Sequence, residues 1–146
     1  RRVTPEEVTP ATPEQRDELT MELGQFYRSE AVVDGRGEGQ PACLHPRETA
    51  GAPGSRLPFA VLDSGQTTVD TVANGMALLR GPEFGDWPEL AAEGLADYVL
   101  PQQTLHRFGI GPGGALLVRP DGFIAARARA ASVETVRDWL AHTLAR

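Results

Sequence analysis

GGALLVRPDGFIAAR, residues 113–127, is the stretch whose reading decides the fold of this chain. Two short apolar runs, 115–118 and 123–128, flank Pro120-Asp121-Gly122. Proline holds φ near about −65° and glycine accepts positive φ without a steric penalty, so the chain can reverse here and the run predicts a β-hairpin. Directly after it, Val133, Val136, Trp139, Leu140 and Leu144 fall on one face of a helix predicted over 132–145. That apolar face needs a sheet to cover.

Working upstream, Leu105 to Phe108 and Tyr98 to Leu100 are strand candidates, of which 105–108 is the stronger. Asp86-Trp87-Pro88-Glu89 has the form of a capping box and opens a helix reaching about Leu95. Residues 75–79 make a short apolar strand, and 59–62 and 67–72 are strand-like on either side of the turn Asp63-Ser64-Gly65. The order strand, helix, strand, hairpin, helix implies an α/β domain. A crossover gives a parallel pair and the hairpin completes a mixed sheet with flanking helices, a thioredoxin-like arrangement. An α/β sandwich with another strand order is the alternative. This domain is expected over residues 56–146.

Residues 1–55 have a different texture. Thr4-Pro5-Glu6-Glu7 and Thr12-Pro13-Glu14-Gln15 both match capping boxes, and the second begins a helix over about 13–26 with Leu19, Leu23 and Phe26 on one face. From Ala31 to Pro58 the chain turns to Gly, Pro, Arg and Glu with scattered apolar residues, too few for a core of their own. The segment 1–55 is therefore expected to be a linker helix and an extended arm that either lies along a neighbouring surface or is partly mobile.

Charge and composition exclude several functions. The 146 residues carry 14 basic and 20 acidic side chains, for a net charge of −6. Nucleic acid and anionic membranes need a basic field, so neither is an expected partner. No apolar run approaches the roughly 20 residues of a membrane span, and no signal peptide is evident, which predicts a cytoplasmic protein.

Motifs that carry chemistry are scarce. The single cysteine, Cys43, can form neither an intrachain disulfide nor a CxxC pair, and with His45 it supplies only two potential zinc ligands. His106 and His142 have no Cys or Glu at ligand spacing. In thioredoxin-like domains a CxxC follows the first parallel strand. Here that strand runs into Arg80-Gly81-Pro82-Glu83-Phe84-Gly85-Asp86, without a thiol for disulfide exchange. The family's cis-proline position falls near Gly114, with Pro112 two residues upstream. The glycine-rich stretch 109–114 lies between strands and opens no helix, which favours a turn over a phosphate cradle. Arg119, Arg127 and Arg129 form either a solvated hairpin edge, the favoured reading, or an anion site. No catalytic, cofactor-binding or metal-binding residue is assigned. Arg56, with Pro58 and Phe59 beside it and Trp87 further on, is the expected interdomain contact.

Taken together, Tyr27-Arg28-Ser29, Ala31-Val32-Val33, APGSRLPFAVL (52–62), Thr68-Val69-Asp70, GMALLRGP (75–82) and GGALLVRPDGFIAAR (113–127) resemble the C-terminal region of the FAD-dependent aromatic hydroxylases. This is the phenol hydroxylase-like group that includes polyketide-tailoring flavin monooxygenases. Phe59 departs from the family, which often has His after the Arg-x-Pro. The resemblance implies a thioredoxin-like C-terminal domain lacking CxxC, behind an FAD domain and a substrate domain. It implies FAD and NAD(P)H in the parent protein and no cofactor in this chain. The expected function is that of a non-catalytic accessory domain of an aromatic monooxygenase, making interdomain or dimer contacts. Its partners would be the FAD and substrate domains of the same parent, a second subunit, or a second copy in a homodimer. A stand-alone thioredoxin-like binding module and the small subunit of a split flavoprotein hydroxylase remain as alternatives.

Overall fold

The structure, a computed structural model, describes Val32 and residues 51–84 and 95–144. Among them lie strands β1 (Ala77–Arg80), β2 (Ala96–Val99), β3 (Ala115–Val118) and β4 (Ile124–Ala128), helices α1 (Thr68–Thr71) and α2 (Val133–Leu144), and a 3-10 helix, Gln102–Phe108. The four strands form one sheet in the order β2-β1-β3-β4. β1 and β2 are parallel, β3 is antiparallel to β1, and β4 is antiparallel to β3. This is the mixed sheet that the element order implies.

The hairpin at residues 119–123 forms for the expected reason. The Gly122 N–H donates to the Arg119 carbonyl at 2.9 Å, and Gly122 has φ +82. The Arg119 N–H then donates to the Phe123 carbonyl at 2.9 Å. A register shift between Leu117 and Val118 accompanies the turn. An extra residue on one strand bends the ladder in this way.

Both faces of the sheet are covered, so β1 and β3 are buried along their whole length and, apart from Arg80 at the end of β1, read as continuous apolar runs. On one face Leu78, Ala115, Leu117 and Ala126 meet Val133, Val136, Trp139 and Leu140 of α2. On the other, Leu79, Leu116, Val118 and Ile124 meet Ala60, Leu62, Leu100, Leu105, Phe108 and Ile110. Each leucine removed from water in these layers contributes about 1.5–3 kcal/mol.

Three predicted strands, 59–62, 67–72 and 105–108, are corrected. Residues 68–71 are helical, because Thr67 and Asp70 close a capping box: the Thr67 hydroxyl accepts from the Asp70 N–H while the Asp70 carboxylate accepts from the Thr67 N–H at 2.7 Å. That reciprocal satisfaction of end groups starts a helix. Strand pairing in this region is confined to a single bridge between Val61 and Thr67. Residues 105–108, the stronger strand candidate, belong instead to the 3-10 helix. There Leu105 and Phe108 are buried while His106 and Arg107 are exposed, a spacing of three that suits a 3-10 turn. The second parallel strand is Ala96–Val99 rather than 98–100.

The body extends upstream of Arg56. The Gly54 N–H donates to the Ile124 carbonyl, the Ile124 N–H to the Ser55 carbonyl and the Leu57 N–H to the Gly122 carbonyl, at 2.8 to 2.9 Å. Residues 54–57 thus run along the start of β4. Val32, from the predicted arm, is buried. The predicted helices over 13–26 and 86–95, apart from Leu95, lie outside the described residues.

Candidate functional site

Where a thioredoxin-like domain would hold its cysteines, the end of β1 meets the loop before β3. The Gly81 N–H donates to the Gly114 carbonyl and the Glu83 N–H to the Pro112 carbonyl, both at 2.9 Å. A Cβ on Gly81 would collide with the Pro112 carbonyl, and one on Gly114 would lie 2.6 Å from the Arg129 carbonyl oxygen. Backbone meets backbone here. The peptide bonds of the described residues are all trans.

The glycine-rich stretch connects elements. Gly109, with φ +66, closes the 3-10 helix. The Gly111 N–H donates to the Arg129 carbonyl at 3.1 Å, and the Gly114 N–H to the Gly111 carbonyl at 2.9 Å. Backbone donors turned toward the protein's own carbonyls do not fit the phosphates of a dinucleotide, which need amides aimed at them from a helix N-terminus.

The three arginines of the hairpin have separate environments. Arg119 pairs with Asp121 at 2.7 Å across the turn. Arg127 stands opposite Leu116 in the ladder, half-buried. Burial first, and the neighbouring positive Arg129 second, lower its pKa from the ordinary guanidinium value. Arg129 is exposed. His106 and His142 are exposed on different elements, and no group of three or more metal-ligating side chains occurs among the described residues. Cys43 and His45 lie outside those residues.

Of the predicted contact residues, Arg56, Pro58 and Phe59 fall among the described residues. Arg56 is exposed, pairs through a backbone bridge with Phe123, and sets its guanidinium over that ring at 4.8 Å. Phe59 is 59% exposed, and its carbonyl accepts from the Arg107 guanidinium at 2.8 Å. The Pro58 carbonyl accepts from the Thr68 hydroxyl at 2.8 Å. Trp87 lies outside the described residues. Beside these the structure adds Val61 and Val69, which are 54% and 64% exposed. The reading of 67–72 as a strand hides Val69. The signal that would have exposed it is the spacing of Thr67 and Asp70, the same capping pattern recognised at Thr4, Thr12 and Asp86.

Between α1, the hairpin turn and residues 56–57 lies a groove of about 450 Å³, with Arg56, Leu57, Val69, Val72, Pro120 and Asp121 among its walls. It is mostly apolar. It holds no cluster of general acids and bases, and an apolar groove with one residue of each charge is suited to binding rather than to bond-making.

Comparison with known proteins assigns the chain. Residues 50–146 match the family model for the aromatic-ring hydroxylase C-terminal region. The chain belongs to the aromatic-ring hydroxylase C-terminal family. A family relative is the 4-methyl-5-nitrocatechol 5-monooxygenase of a Burkholderia species, 36% identical over 88% of this chain and 28% of that protein. Another is aklavinone 12-hydroxylase RdmE of Streptomyces purpurascens, 33% identical over 79% of this chain and 24% of that protein. Among solved structures, aklavinone-11 hydroxylase in complex with FAD and aklavinone superposes with a TM-score of 0.78 at 30% identity, over 90% of this chain and 28% of that one. The flavin-dependent monooxygenase PieE, in complex with FAD and substrate, gives 0.66 at 30% identity over 90% of this chain and 27% of that one. This member of the hydroxylase family thus spans about a quarter of the length of the relatives it matches. None of its helices among the described residues is long and apolar enough to cross a membrane.

Proposed function

We propose that this chain is the non-catalytic C-terminal accessory domain of a longer FAD- and NAD(P)H-dependent monooxygenase that hydroxylates an aromatic or polyketide substrate. The observation that carries the reading is the match of residues 50–146 to a C-terminal hydroxylase family in a chain about a quarter as long as its relatives. The oxidative chemistry would belong to the flavin, held by the rest of the longer protein. The buried polar side chains Ser55, Thr68, Thr71 and Arg80 are used for structure. The Thr68 hydroxyl joins Pro58 and Ala60, the Thr71 hydroxyl donates to the Thr68 carbonyl, Ser55 donates to Ala52, and Arg80 donates to Asp97 at 2.7 Å. What remains to the domain is its surface, with Arg56, Pro58 and Phe59 as contacts to the catalytic portion or to a second subunit.

The test compares the isolated chain with a longer protein that includes it. The isolated chain is expected to leave FAD fluorescence unquenched and to oxidise no NAD(P)H. The longer protein should retain FAD and couple NAD(P)H oxidation to ring hydroxylation. Flavin binding by the isolated chain would overturn the accessory role. A stoichiometric complex with a separately encoded flavoprotein, seen by size exclusion, would make it the small subunit of a split enzyme.

A further inference from the structure

We infer that Asn74 is a site of spontaneous modification, at which the folded protein converts the side-chain amide to aspartate and isoaspartate. Asn74-Gly75 lies in the turn that joins α1 to β1, and Asn74 is the single asparagine in the chain. The reaction needs an asparagine amide as electrophile and the following backbone nitrogen, stripped of its proton, as nucleophile. Attack closes a five-membered ring, so the chain itself holds the two reactants together. A side chain on the following residue would hinder that approach, and glycine has none.

The turn leaves both reactants able to meet. Asn74 is exposed, and among the described residues its side-chain amide makes no hydrogen bond. The Gly75 N–H reaches only the Val72 carbonyl, at 3.5 Å, beyond the roughly 2.7–3.2 Å of a well-formed bond. Gly75 has φ +136, and a Cβ built on it would touch nothing within 4 Å. Asp121-Gly122 supplies the contrast, since an aspartate before glycine can close the same ring with loss of water. There the Asp121 carboxylate pairs with Arg119 at 2.7 Å and accepts from the Phe123 N–H at 3.2 Å. The Gly122 N–H is engaged as well, with the Arg119 carbonyl at 2.9 Å. A negative, doubly held electrophile and an occupied nitrogen keep that turn intact.

The steps balance with water as the one added reagent. Hydroxide takes the Gly75 N–H proton, the nitrogen bonds to Asn74 Cγ, and the side-chain nitrogen leaves as ammonia. Water then opens the succinimide at either carbonyl. Cleavage between the Gly75 nitrogen and Cγ gives aspartate. Cleavage at the Asn74 backbone carbonyl gives isoaspartate, whose main chain runs through Cβ and Cγ and is longer by one carbon. Either product adds one negative charge. The site of the change is not peripheral to the sheet. Met76, two residues on, packs against the core beneath α2, and its carbonyl accepts from the Ala96 N–H at 3.3 Å. β1 follows directly, between β2 and β3. On the other side Ala73 is part of the groove wall, so the new carboxylate arises beside an apolar groove.

Anion exchange and peptide mapping by mass spectrometry test the inference on the full chain aged in alkaline buffer. An acidic form should accumulate, with aspartate and isoaspartate at position 74, at a rate proportional to hydroxide concentration. Because a turn of low local stability reacts much as unfolded chain does, that rate should lie within about tenfold of the rate in urea. Asn74→Gln, which would have to close a larger and more slowly formed ring, should abolish the acidic form. Asn74→Asp should reproduce its charge from the start. Conversion more than about tenfold slower in the folded chain than in urea would overturn the inference. So would an acidic form that arises undiminished in Asn74→Gln, or isomerisation of Asp121 in the folded chain as fast as conversion of Asn74.

Discussion

Gly114 and Gly65 separate two reasons for a glycine. Gly65 has φ +86 with open space around it, whereas a Cβ on Gly114 would meet the carbonyls of Ala128 and Arg129 and the Ile110 side chain within 2.8 Å. Gly65→Ala should cost about 1 kcal/mol from left-handed strain alone, and Gly114→Ala about 1–3 kcal/mol because backbone must move. Urea denaturation of the two variants checks the order. Arg56 is a second residue-scale case. Its guanidinium already rests on the Phe123 ring within its own domain, an exposed cation–π contact of about 0.5–1 kcal/mol. Arg56→Ala should lower the stability of the domain by no more than that. If Arg56 also contacts the catalytic portion, the same change should weaken domain association in the longer protein, and unchanged association and melting there would remove it from the interface.

At the scale of elements, both helices begin on side-chain caps. The Thr135 N–H donates to the Ser132 hydroxyl at 3.2 Å, and the Val136 N–H to the Ser132 carbonyl at 3.1 Å, so Ser132 starts α2. Ser132→Ala should cost about 1 kcal/mol, read as a lower denaturation midpoint with an unchanged slope. The cap of α1 is ionic and therefore depends on pH. The hydrogen bonds from the Thr67 backbone and hydroxyl hold the Asp70 carboxyl below its ordinary value of 3.8. A depressed folded pKa stabilises the native state fully above the unfolded pKa, and that contribution disappears as pH falls through the folded value. Wild type should melt above Asp70→Asn at pH 7, and the gap should close as pH falls below the ordinary aspartate value of 3.8. Thermal melts across that range would show a constant gap if the box contributed nothing. The 3-10 helix shows why one element was misread. Leu105 and Phe108 are compatible with strand or turn when read alone, and Pro101 before them sets the turn.

For the whole molecule the sheet has two cores, and the one facing the candidate contact surface depends on Phe108. It is fully buried among Ala60, Leu62, Leu79 and Leu116. Phe108→Ala should cost about 3–5 kcal/mol. The loss should also loosen residues 54–57, because Gly51 rests on the Phe108 backbone. Hydrogen exchange at the amides of Gly54 and Leu57 is expected to accelerate, while amides in α2, on the opposite face, change less. Uniform acceleration would show that the two layers unfold as one unit.

The sequence by itself determined the hairpin, the last helix and the mixed sheet. Those features rest on local chemistry: a Pro-Asp-Gly turn, short apolar runs in the strands and a helical apolar stripe. It also pointed to the hydroxylase family. Only the tertiary structure decided that 68–71 is a helix and 105–108 a 3-10 turn, since short apolar runs fit more than one conformation until their neighbours choose. Only the structure showed that Phe59, Val61 and Val69 are exposed. Exposure is a property of what packs against a residue, and Ala60 and Leu62 turn inward to a core built from strands and turns far along the chain.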